Sequence, residues 1–199
     1  MPRKGNDPWF KAEASALVSL DAARTSENWV LLASLLRALC AARKERVNAS
    51  HNGNRVKIIQ STEDAQCALE SGRYLIQPPL VARDAALFEH AMRAKNISVV
   101  VACREPATSL GLCPVVALGS GVTTRVQVEE PKNPTKPSCA WFDHALEELG
   151  DHVLEQMNRD ATTLRQLDYL LAHLSATPTH FSLYKFAMDL CKTLESKNV

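Results

Sequence analysis

Several signatures of familiar chemistry are missing from this chain. No C-x-x-C pair occurs, although cysteine stands at Cys40, Cys67, Cys103, Cys113, Cys139 and Cys191. A secreted disulfide framework is short and cysteine-dense. Scattered cysteines in a longer chain read instead as free thiols in a reducing cytosol. No apolar run approaches the about 18 residues of a membrane span. The polar start leads into no uninterrupted apolar segment, and Lys11 and Glu13 stand where a signal peptide carries Leu or Ala. A cytoplasmic protein without membrane contact is therefore expected. G-x-G-x-x-G and Walker patterns are absent, so no cofactor is expected. G-x-S-x-G and H-E-x-x-H are absent too. A formal charge of +1 excludes a generally basic nucleic-acid binder, but not a local basic patch.

What is present is the composition of a globular protein, 46% hydrophobic and 23% charged over 199 residues. Asp7-Pro8 starts a helix over about 9–23, with Phe10, Ala14, Leu17 and Leu20 as its apolar stripe. Thr25-Ser26-Glu27 caps a second helix to about Arg46. Its face carries Trp29, Leu32, Leu35, Leu36, Leu39 and Cys40, widened by Leu31. The turn residues His51-Asn52-Gly53-Asn54 suggest a hairpin between 46–50 and a strand over 55–60. Ser61 caps a short helix to about Glu70, and a strand over 73–77 follows. Pro78-Pro79 breaks regular structure. A helix over 81–95 turns Ala85, Leu87, Phe88 and Met92 inward.

The β-branched run Ile97–Ala102 predicts a strand buried on both faces, parallel to 73–77 through a right-handed crossover. Gly119-Ser120-Gly121 joins strands over 114–118 and 122–129 as a hairpin, the second at an edge. Three prolines in 130–137 make a linker. Helices then follow over 138–157, from Asp160 to Ser175, and over 181–195. The expected fold is α+β with an α/β-like core. It has a mixed sheet of four or five strands, a βαβ crossover, an N-terminal helical pair and a C-terminal three-helix segment. The expected division is a mixed α/β domain over 1–130 and a helical segment over 138–199.

Three stretches carry candidate chemistry. The loop from Cys103 to Pro114 follows a buried strand, where open parallel sheets bind ligands. Thr108, Ser109 and Gly111 would offer backbone N–H groups to an anion, with Arg104 pairing to it. Cys103 or Cys113 would serve as nucleophile if its pKa were lowered. The alternative is a plain polar turn between two buried cysteines. The second stretch is basic: Arg43, Lys44, Arg46, Arg55 and Lys57, with Arg37 preceding. It would contact phosphate, but it lacks interleaved aromatics, and a solvated face accounts for it better. The third is the helix with His144, Glu148 and His152 at i, i+4, i+8, beside Asp151 and Glu155. It reads as an acidic solvent-facing helix, and no metal is assigned to it. Leucine-rich helices at both ends, without a catalytic motif, favour a non-catalytic binding or protein-interaction domain with a protein partner or self-association. A small-molecule or anion-binding enzyme at the 103–114 loop is the alternative, and nucleic-acid contact is a further, disfavoured one.

Overall fold

A computed structural model describes residues 7–51 and 55–197. The fold is α+β: a five-stranded mixed sheet with helices at both ends of the chain. Helix α1 spans Pro8–Thr25 and α2 spans Trp29–Ser50. Asn28 caps α2 by accepting from the Leu31 N–H at 3.0 Å, in place of the expected Thr25–Glu27 cap. The Thr25 side of that segment is still helical, as the last turn of α1.

The buried stripe of α1 is Phe10, Glu13, Ala16, Leu20 and Ala23. It is rotated from the expected stripe: Ala14 is exposed and Leu17 half-buried. The cause is Glu13, which turns inward to meet two arginines of α2. Helix α2 also runs on to Ser50, so residues 46–50 are helix and not a hairpin arm. Asn52–Asn54 of the expected turn lie outside the described residues.

Strands β1 (Val56–Ile59), β2 (Gly72–Ile76) and β3 (Val99–Arg104) are parallel. Helix α3 (Thr62–Cys67) joins the first two, with a Ser61–Asp64 capping box. Helix α4 (Ala82–Ala94) joins the second and third and buries Ala85, Phe88 and Met92. Leu87, expected inward, is exposed, since it falls a third of a turn from that stripe. Strands β4 (Leu112–Leu118) and β5 (Thr123–Glu129) continue the sheet antiparallel, with β5 at the edge.

Side chains alternate across the sheet and serve two cores. Ile59, Tyr74, Ile76, Val99 and Cys103 pack under α4. Leu75, Val100, Ala102, Cys113, Val115 and Val128 pack under α5 (Cys139–Gln156), through Phe142, Ala145, Leu146 and Leu149. A third core joins both ends of the chain. It gathers α1, α2, α6 (Thr163–His173) and α7 (Phe181–Glu195), with Leu32, Leu36, Leu39, Leu167, Leu170 and Leu183 all fully buried. Each such leucine contributes at most about 1.5–3 kcal/mol through area removed from water. Thr162, not Asp160, caps α6, accepting from the Arg165 N–H at 3.3 Å.

Candidate functional site

The Cys103–Pro114 loop is a reversal between the antiparallel strands β3 and β4. Three hydrogen bonds close the turn on itself. The Thr108 N–H donates to the Leu112 carbonyl at 2.7 Å and the Gly111 N–H to the Thr108 carbonyl at 3.0 Å. Thr108 Oγ1 accepts from the Leu112 N–H at 3.2 Å. Gly111 has φ +73°, the left-handed conformation that glycine adopts without strain. Ser109 is exposed. Arg104 donates through Nη2 to the Pro134 carbonyl at 3.4 Å and lies 3.7 Å from Glu130, tying the reversal to the segment after β5.

The two cysteines sit on opposite faces of the sheet, Cys103 under α4 and Cys113 under α5. Burial pushes the Cys103 thiol up to about 12, helped by Glu105 and Asp84. Burial also raises the Cys113 thiol, against the pull of Arg104. A nucleophilic cysteine needs a shift in the other direction.

The basic stretch is divided in the same way. Lys44 and Arg55 are exposed, and Arg37 is too. Lys57 pairs with Glu70 at 2.8 Å and donates to the Tyr74 hydroxyl at 3.2 Å. Arg43 and Arg46 are buried, with side chains only 2% exposed. No phosphate backbone reaches them there.

These two arginines instead build a network that the sequence did not point to. Arg43 Nε lies 2.9 Å from Glu13 Oε1, and Arg46 Nε lies 3.1 Å from Oε2. Arg43 Nη1 donates to the Tyr184 hydroxyl at 2.5 Å and to the Leu174 carbonyl. Arg46 Nη1 donates to the Val99 carbonyl at 2.8 Å and lies 3.3 Å from Glu89. Arg93 completes the set, 2.9 Å from Glu89 and 3.9 Å from Glu13. Burial pulls the Glu13 carboxyl upward, but Arg46, Arg43 and Arg93 more than offset it and hold it below the usual carboxylate range. Burial raises the Tyr184 phenol even beside Arg43. A glutamate inside an otherwise apolar helical stripe was the available signal for this network.

One end of the network borders a cleft of about 290 Å³ between α1, α2 and α6. Leu17, Leu20, Leu39 and Leu171 supply its apolar walls, Arg43 its base, and Asp21 and Ser120 polar groups. The Nη2 of Arg43 makes no hydrogen bond among the described residues. Beside the cleft, the turn between β4 and β5 docks on α6 through its backbone. The Ser120 N–H donates to the Ala172 carbonyl at 3.1 Å. A Cβ at Gly119 would stand 2.6 Å from that same oxygen, so only glycine permits the approach. Arg24 and Asp168 clamp α1 to α6 at 2.5 and 2.8 Å.

The His144–Glu148–His152 face is not assembled into one set. His144 Nδ1 lies 3.7 Å from Glu148, both exposed, and His152 is half-buried a turn further on. Asp151 meets His180 of the α7 start instead, at 3.1 Å. No helix among the described residues is long and apolar enough to cross a membrane. Comparison with family models, with curated proteins and with solved structures finds no match to this chain.

Proposed function

We propose that this chain is a non-catalytic binding domain, and that its ligand is a small organic anion with an apolar body held in the cleft between α1, α2 and α6. The observation that carries this reading is Arg43. Its guanidinium is almost fully buried, yet it borders a cleft with leucine walls, and its Nη2 makes no hydrogen bond among the described residues. A carboxylate or phosphate there would gain a charge-assisted hydrogen bond, while the leucines cover the apolar remainder. Burial of Cys103 and Cys113 with raised thiols speaks against nucleophilic catalysis at the 103–114 loop. The helical leucines that suggested a protein partner face one another inside the molecule.

Thermal unfolding in the presence of short- and medium-chain carboxylates tests the reading. A ligand at 100 times its Kd stabilises by about 2.7 kcal/mol. For a chain of this size that raises Tm by about 5–10 °C. Leu171→Trp, which fills the cleft from a half-buried position, should remove the shift. If no member of the series raises Tm, or if Leu171→Trp leaves the rise intact, the cleft is not a ligand site. Native thiol titration addresses the enzymatic alternative: Cys67 is exposed and should react at once, whereas Cys103 and Cys113 should react only on unfolding.

A further inference from the structure

His180 occupies the cap position of α7 but caps nothing with its side chain. Its ring is packed against the backbone of α5 and is 1% exposed. Gly150 makes that possible. A Cβ there would fall 2.0 Å from Cγ and 2.3 Å from Cδ2 of the imidazole. Glycine inside a helix is unfavourable relative to alanine, so α5 gives up helix stability at the point where the ring enters.

The ring is aimed at two carboxylates one helical turn apart on α5. Nε2 lies 3.3 Å from Glu147 Oε1 and 3.1 Å from Asp151 Oδ1. Apart from that pair the imidazole has no partner, for Nδ1 is buried without a hydrogen bond among the described residues. All three donor atoms lie within 4.8 Å of one another. Nitrogen and oxygen ligands at ordinary zinc distances, with tetrahedral or octahedral angles, stand roughly 3.0–3.5 Å apart. The two separations from Nε2 are edges of that size, and the two carboxylate oxygens lie within 4.8 Å of each other.

We propose that Glu147, Asp151 and His180 form a site for a divalent transition-metal ion, bracing α5 against the start of α7. An imidazole with two carboxylates favours zinc, cobalt or manganese over the all-oxygen sites of calcium and magnesium. The carboxylate side chains are 60% and 53% exposed, which leaves the remaining coordination positions open to water. The proton of a metal-bound His180 sits on Nδ1, which has no acceptor among the described residues. Loss of such an outer partner lowers metal affinity by about 10–100-fold, so the site is a modest binder.

The test is titration of the purified full chain with Co²⁺, read by visible absorption, and with Zn²⁺, read by calorimetry and thermal unfolding. One equivalent should saturate, develop the cobalt bands and raise Tm. Glu147→Gln and Asp151→Asn alter exposed groups and leave the fold intact; each should weaken binding at least tenfold, and the double variant should abolish it. His152→Ala, on the same helix, and Leu171→Trp, in the cleft, should bind as the native chain does. Failure of one equivalent to saturate would overturn the proposal, as would a double variant that binds normally. So would an ion pair only, in which the double variant lowers Tm while the native chain takes up no metal.

Discussion

Two places in this molecule bring acids and bases together, and they do so in opposite ways. Around Glu13 the carboxylate and the two guanidiniums that face it are buried, each carboxylate oxygen meeting one arginine. Around His180 the base is buried and the two acids are open to solvent. In the first arrangement the charges stabilise one another, and removing one leaves buried partners in low dielectric. The second can exchange a proton, a water or an ion with solvent without disturbing the core.

Substitutions on each side put that contrast to the test. Glu13→Gln should have the largest effect. Removing one partner from a buried ion pair costs about 3–5 kcal/mol, because Arg43 is left without a carboxylate and Arg46 keeps only Glu89. Urea unfolding measures it, and a loss under 1 kcal/mol would show the network to be dispensable. The same variant tests the charge state. The Glu13 carboxyl titrates lower in the folded chain than in the unfolded one, so its contribution is present above the unfolded value and lost as pH falls through the folded one. The native chain should therefore lose stability below about pH 4.3, the ordinary glutamate range. Glu13→Gln should lack that component.

Gly150→Ala should come next. It raises helix propensity by about 1 kcal/mol. It should nevertheless destabilise by about 1–3 kcal/mol, the usual cost of forcing extra volume into a packed site. The new methyl meets the His180 ring, as the 2.0 Å approach requires. The same variant should lose the cobalt bands. A stabilised Gly150→Ala would mean that the ring is free to leave.

The smallest effect is expected at an exposed pair. Arg125 of β5 and Glu105 of the β3–β4 reversal lie 2.5 Å apart, with side chains 56% and 41% exposed. Arg125→Ala should change stability by about 0–1 kcal/mol, less at high salt. A larger loss would mean that charge geometry at the surface matters here as it does in the core.

Some of this was legible without a structure. The glycines at 119 and 121 between β-branched runs marked the hairpin, and the helix between two apolar strands marked the crossover. Helix α7 has the bounds that its pattern indicated. The candidate sites were less legible, and for one physical reason. Arg43, Arg46 and Lys57 read as a basic surface because sequence order shows their charge but not their partners. Glu13 stands 30 and 33 residues away from Arg43 and Arg46. The cysteines at 103 and 113 looked adjacent across a loop, yet strand alternation puts them on opposite faces of the sheet.

The sequence by itself determined the order and type of most elements, because periodicity, caps and turn residues act over a few neighbours. Tertiary structure decided which face each helix buries and which charges meet. Glu13 turns inward only because two guanidiniums from α2 offset its desolvation. His180, 29 residues from Asp151, reaches the acidic face of α5 only because Gly150 leaves room for its ring. Such pairings depend on packing between distant segments, and no local pattern encodes them.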